Sequence, residues 1–314
     1  TILTSIAAFG NIQTLSGTLY IEGNPALESL DGLQNLESVG EDLFIISNEN
    51  LLSLSALGNL KQVNGWLGIA ANPNLTSLTG LSNLQVVNEN LSINSNRFLN
   101  NLEGLENLHK VGGSVRIFDN LRLEDISALG KIDSINGFFS FTDNPSIRQL
   151  EGLNQLVYIC KGLELENNVT LESLTALANL RSIGGELAIQ GNENLERLNG
   201  LEGIDPTGIT TLRIQDNFRL RTCSVESICR HLRNGGLQTI SGNAQGCNSG
   251  SEVLTACVPN HLQEAEPARP WQLYPNPTTD AFQIIGTLPE NGAELRIYNS
   301  RGRLLQSHRL ETGN

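Results

Sequence analysis

The chain has 314 residues, 39% of them hydrophobic and 17% charged, with 33 acidic residues against 20 basic for a formal net charge of −13. That balance disfavours nucleic acid and anionic membrane as partners, because both attract positive surfaces. No apolar run reaches the length needed to cross a bilayer, and the size suits one large domain with a small one, or a repeat array.

The N-terminus, TILTSIAAFG, has neither the basic start nor the continuous apolar segment of a signal peptide. Its Leu3, Ile6, Phe9, Ile12 and Leu15 already stand at steps of three, so the chain is expected to begin inside a repeat, as a trimmed or mature chain would. From Leu19 a unit recurs every 24 residues. Its first strand position is held by Leu19, Leu43, Leu67, Leu91, Val115, Phe139, Leu163 and Leu187, then Leu212 after one inserted residue. Two positions on come Ile21, Ile45, Ile69, Ile93, Ile117, Phe141, Leu165, Ile189 and Ile214. Three further on comes asparagine every time: Asn24, Asn48, Asn72, Asn96, Asn120, Asn144, Asn168, Asn192 and Asn217. The rest of each unit sets apolar residues at steps of three, first as Leu27, Leu30, Leu33, Leu36 and Val39.

A unit this short cannot bury its own apolar side, whereas stacked units share a continuous core. The fold class expected is therefore mostly β, a leucine-rich solenoid over residues 1–222. Leu19–Tyr20–Ile21 alternates in, out, in, as a short strand does. A second short strand is expected near Leu36–Val39, followed by a turn such as Val111–Gly112–Gly113. At about 4.8 Å per stacked strand, nine turns make a rod roughly 40 Å long.

The asparagines fall in the buried register. Where the chain bends inward after the strand, backbone N–H and C=O groups cannot all pair within the sheet, and an amide carries both donors and an acceptor. The series is read as a structural ladder rather than an exposed comb. A second series, Asn11, Asn35, Asn59, Asn83, Asn107 and Asn179, admits Lys131 and Gln155, which marks a surface turn.

If Leu19 and Ile21 face in, the outward strand face runs from Tyr20 and Glu22 through Phe44 and Ile46 to Arg116 and Phe118. Tyr20, Phe44, Ile46, Arg116 and Phe118 are the candidate binding residues, because the core pattern does not require these side chains and solenoids use this face for partners. Trp66 and Phe138 share one register, and the sequence leaves open whether they cover a turn or stand exposed. Glu164 and Glu166, with Asp143, lack the alternation of oxygen ligands that a cation needs and are expected to be a solvated acidic patch.

Little points to catalysis. His109, His231, His261 and His308 are scattered, no metal-ligand spacing occurs, and nucleophile elbow, phosphate loop and dinucleotide motifs are lacking. The sequence thus calls for no catalytic residue, metal or cofactor. The inserted residue around Asp205–Gly208 is the one break in the repeat where a paired-carboxylate site would have room.

Residues 223–257 read as a C-terminal cap that closes the open end of the core. SVESICRHL starts a helix that Gly235 and Gly236 end, LQTI is one more strand, and GSEVLTAC is a last short helix. Cys223, Cys229, Cys247 and Cys257 fit two disulfides better than zinc, since they form no CxxC pair. The sequence does not fix the pairing; Cys223 with Cys247 and Cys229 with Cys257 is the working arrangement. Cys160 is left as a buried or half-buried free thiol. Residues 258–272, rich in Pro and Glu, read as a linker. Residues 273–314 alternate like part of an antiparallel sandwich, in AFQII, AELRIYNS and RLLQSHRL.

Two resemblances rest on these motifs. With its LxIxxN and GLxNLxxV units and its cysteine cap, the array resembles the receptor L domain group of leucine-rich-type solenoids. That implies a right-handed β-solenoid, of the kind that forms ligand-binding lobes in receptors and occurs in bacterial surface proteins. The tail is similar to the C-terminal sorting domain of the type IX secretion system of Bacteroidetes. Tyr274, Pro275, Asn276, Pro277, Thr278 and Phe282 stand in its opening YPNPT…F motif, and Ile297, Tyr298, Asn299, Gly302, Arg303 and Leu304 in its IY[DN]xxGR motif. The resemblance implies recognition of a complete tail by the outer-membrane export machinery, followed by cleavage, and a secreted protein or one on the outer cell surface. By this resemblance residues 273–314 are expected to hold only part of that domain, without its closing strands. The sequons at Asn74 and Asn168 carry little weight in a bacterial protein, and Asn168 belongs to the ladder.

The function expected is a non-catalytic recognition or adhesion module for a protein or glycan. A structural spacer presenting another domain is the alternative, and a polysaccharide-acting hydrolase comes third.

Overall fold

A computed structural model of the chain describes residues 3–257 and, nearer the C-terminus, the backbone of strands at 272–274, 283–285, 293–298 and 304–310. By contacts the chain divides into Thr1–Val258 and Pro259–Asn314.

The first unit is built from parallel strands one repeat apart. A ten-stranded sheet runs from Leu19–Glu22 through Leu43–Ile46, Leu67–Ala70, Leu91–Asn94, Val115–Phe118, Phe138–Thr142, Gly162–Glu166, Glu186–Gln190 and Thr211–Gln215 to Gln238–Ser241. Every pairing is parallel and in step, as in Leu19↔Leu43 and Val115↔Phe139. Two-residue strands such as Ser38–Val39 and Gln62–Val63 stack likewise into a five-stranded and a three-stranded sheet. The inward residues of the wide sheet fill the core: Leu43, Ile45, Leu67 and Ile69 have no exposed surface. Leu19, at the N-terminal edge, is only partly buried.

The apolar steps of three also find their cause. Between the sheets the chain turns by i→i+3 hydrogen bonds that link one core residue to the next, from Leu33 N–H to Leu30 O at 3.1 Å and from Leu36 N–H to Leu33 O at 3.0 Å. In several turns this stretch closes into a short 3₁₀-helix, as at Ser55–Leu57 and Ser127–Leu129. A three-residue period keeps every third side chain on one face. The sequence showed the period but not the element.

Eight of the nine ladder asparagines, Asn48 to Asn217, are completely buried, and Asn24 is half-buried. Asn72 shows the pattern. Its amide donates to Ile45 O one turn back at 2.8 Å and to Ala70 O of its own strand at 3.0 Å. Its oxygen accepts the backbone N–H of Asn48 at 3.1 Å. The residue before each ladder asparagine makes the inward corner with positive φ, as Ala71 does at 53° and Asp119 at 56°. A tenth member, Asn243, sits in the cap and accepts from Asn217 at 3.0 Å. The inserted residues of the cap had hidden it from the 24-residue register.

The second asparagine series lies at the surface and is bonded too: Asn59 and Asn83 donate to Gln34 O and Gly58 O at 2.7 and 2.6 Å. At the substituted position, Lys131 reaches the Asn107 side chain at 2.7 Å. The cap comprises helix α1 (Glu226–Arg233), the last strand of the wide sheet and helix α2 (Gly250–Ala256). Cys223 is bonded to Cys247 and Cys229 to Cys257, with Cα atoms 5.6 and 5.7 Å apart. The polar end of the core is closed by Asn248, whose oxygen takes the Asn243 N–H at 3.1 Å, and by Cys247 O, which takes the Asn243 amide at 3.0 Å.

In the second unit, Gln272–Tyr274 pairs antiparallel with Gln283–Ile285, and Ala293–Tyr298 with Leu304–Leu310. Of the linker expected at 258–272, Gln272 begins a strand instead, and the rest, with the motif residues Pro275, Asn276, Pro277, Gly302 and Arg303, lies outside the described residues.

Candidate functional site

The strand residues that alternate with the two inward residues of each turn, such as Tyr20 and Glu22 or Ser140 and Thr142, point away from the core and form one continuous face. Because the strands are in register, side chains from successive turns stand side by side. Over the first three turns this places an aromatic row: Tyr20 and Phe44 have ring centroids 5.1 Å apart, and Phe44 and Trp66 meet edge to face at 5.7 Å. Tyr20 is the most open of the three, with 54% of its surface exposed.

The row is shaped by a glycine. Phe44 lies over Gly68 in the next strand, where an added Cβ would come within 2.6 Å of the ring. Phe138 covers Gly162 in the same manner, its ring 3.1 Å from the corresponding point. Trp66 and Phe138 are therefore half-buried wall residues, neither turn covers nor free side chains. An aromatic residue one turn away from a strand glycine was the signal in the sequence, since such a glycine marks a close approach. The Trp66 indole N–H is buried and has no hydrogen-bond partner in the protein.

Of the predicted site residues, Tyr20, Phe44 and Ile46 come together, with Ile46 paired to Glu22 and Ala70. Arg116 and Phe118 stand three turns further on, separated by the low side chains of Gly68, Ala70, Ser92 and Asn94. Arg116 is exposed and Phe118 half-buried.

The far end of the face is not the solvated acidic patch that Glu164 and Glu166 led one to expect. Arg213 reaches back across two turns to Glu166 at 3.6 Å and forms an ion pair with the Glu186 carboxylate of the adjacent strand at 2.5 Å. Gln190 also donates to Glu166. Beneath this network Ala188, an outward residue, is fully buried. Arg213 escaped the sequence reading because the contact skips a turn.

Among the described residues no group of three or more His, Cys, Asp or Glu side chains gathers where a metal ion would sit. Asp205 spends its carboxylate on the Thr207 N–H at 3.1 Å, at the start of the 3₁₀-turn Pro206–Gly208 that absorbs the inserted residue. His231 is buried in α1 with Nε2 3.1 Å from Leu237 O. Cys160 is a half-buried free thiol beside Tyr158, whose phenol is pushed up to about 12 by burial first, then by its hydrogen bond to Cys160 and the charge there. No helix among the described residues is long and apolar enough to cross a membrane.

No curated protein matches the chain. Residues 272–314 match the secretion system C-terminal sorting domain, which is consistent with a secreted or cell-surface protein.

Proposed function

We propose that the chain is a non-catalytic recognition or adhesion module that is exported and binds a protein or glycan through the outward face of its stacked strands. The observation that carries this reading is the aromatic row Tyr20–Phe44–Trp66 on a face whose apolar content the core does not need. Exposed aromatic clusters on a rigid, pre-formed surface are where binding energy concentrates. The Asn ladder and the disulfide cap support the rigidity, since each turn is tied to its neighbours and the C-terminal end of the stack is stapled. We place the solenoid with receptor L domain-like folds on its LxIxxN units. The sorting-domain match supports export through the type IX machinery by way of a complete tail.

The test is binding of the purified chain to a panel of polysaccharides, matrix proteins and bacterial surface components, with Phe44→Ser/Ile46→Ser as the control. Binding that the double variant loses places recognition on this face. A folded chain that binds nothing is the outcome that favours a structural spacer.

A further inference from the structure

Between Phe44 and Thr142 the outward strand positions of five turns carry a single formal charge, Arg116. On either side the face becomes acidic or mixed, with Glu22 before it and Glu164, Glu166 and Arg213 after it. Among the described residues no ion pair engages Arg116. Its neighbours in register are the half-buried Ser140 and the buried Ser92, whose hydroxyl is already bonded to Asn94, so no side chain beside it carries a charge. A guanidinium fork matches a carboxylate with two parallel hydrogen bonds, and here nothing in the protein supplies that carboxylate.

The spacing of the face separates two classes of occupant. Successive turns are about 4.8 Å apart, whereas an extended peptide laid along the rod advances roughly 3.3 Å per residue and falls out of step within two turns. A pyranose chain advances by close to one strand spacing per sugar, so successive turns meet successive sugars. The floor of the strip is also wrong for the core of a protein interface, which is rich in large apolar groups. Gly68, Ala70, Ser92 and Asn94 are small; Ser92 is buried and donates its hydroxyl to the Asn94 side-chain oxygen at 3.1 Å, which leaves the half-buried Asn94 amide as the polar group of the floor. The aromatic row at one end supplies ring faces for the apolar side of a sugar.

We infer that the outward face from Phe44 to Thr142 binds a carboxylate-bearing polysaccharide, one sugar per turn, with a uronate on Arg116 and sugars two and three residues further along the same chain against Trp66 and Phe44. The inference rests on the recognition reading above and names its ligand class. Three strand spacings separate Phe44 from Arg116, about 14 Å, so a chain of at least four sugars engages both.

The experiment is calorimetric titration of the whole chain with galacturonate oligomers of increasing length, with neutral glucan oligomers and with an acidic peptide. The variants are Arg116→Gln, Phe44→Ser and, as a charge-matched control on another face, Arg148→Gln, each first shown to melt like the parent. Affinity is expected to rise steeply between the dimer and the pentamer of galacturonate. Arg116→Gln should weaken the pentamer about tenfold or more, and Arg148→Gln should leave it unchanged. Uronate binding that Arg116→Gln does not weaken, glucan binding of equal strength, or binding of the peptide alone each overturns the inference. If glucan, peptide or another panel component binds and Phe44→Ser abolishes it, the recognition reading survives that failure. If nothing binds through the face, both fall.

Discussion

The side-chain oxygen of Asn144 accepts both the backbone N–H and the amide N–H of Asn120 one turn earlier, at 3.2 and 3.3 Å. The Asn120 amide also meets Ile93 O at 3.0 Å and Phe118 O at 3.1 Å. One side chain thus serves the backbone of two turns and the amide of a third, nearly all of it out of reach of water. Asn120→Leu keeps the volume and removes every partner, so it is expected to destabilise the chain by about 1–3 kcal/mol for each polar group left unpaired. Asn24→Leu should cost less, because Asn24 is half-buried at the end of the ladder. Chemical denaturation of the two variants checks the difference.

Gly104 has φ +113°, and a Cβ there would lie 1.9 Å from the Leu78 carbonyl oxygen of the preceding turn. Both the conformation and the contact exclude a larger residue. Gly104→Ala should destabilise by about 1–3 kcal/mol, while Gly17→Ala, where the added carbon meets nothing, should be neutral or slightly stabilising. Equal melting temperatures for the two would refute this account of the tight turn.

Trp66 buries an indole N–H without a partner. Deleting an unpaired buried donor removes a penalty, and the phenyl ring keeps most of the edge-to-face contact with Phe44. Trp66→Phe is therefore expected to leave stability unchanged or raise it, although a Trp-to-Phe truncation in a packed site ordinarily lowers it. Thermal melts of the variant and parent decide the sign.

Tyr158 holds its proton to about pH 12 in the folded chain, against 10.0 for a free phenol. The folded state therefore binds the proton more tightly than the unfolded state does. Its contribution to stability is fully present below pH 10 and drains away as the pH rises from 10 towards 12. Tyr158→Phe should flatten that part of the stability–pH curve, and a phenolate absorbance titration of the parent should show one tyrosine ionising late.

Much of this architecture was legible in the sequence for a single physical reason: in a solenoid each turn meets copies of itself. A position repeated without exception, such as the one running from Asn24 to Asn217, must meet the same environment every time, so burial and role follow from register. The edges of the pattern were harder. Asn243 belongs to the ladder but sits 26 residues after Asn217, and a strict period passes over it.

Other relationships were settled only in three dimensions, because they join different registers or depend on which way a side chain swings. Phe44 touches Trp66 because it folds over Gly68, a matter of ring orientation and of space left by one missing Cβ. Arg213 converts an acidic stretch into a mixed network by reaching past Ala188 to a strand two turns away. The four cap cysteines became two definite bonds once α1 and α2 brought Cys229 to Cys257 and the last turns brought Cys223 to Cys247. By itself the sequence determined what repeats, because periodic burial is written into periodic polarity. The tertiary structure decided what the non-repeating side chains do, because their partners are chosen by proximity across turns, which no single period encodes.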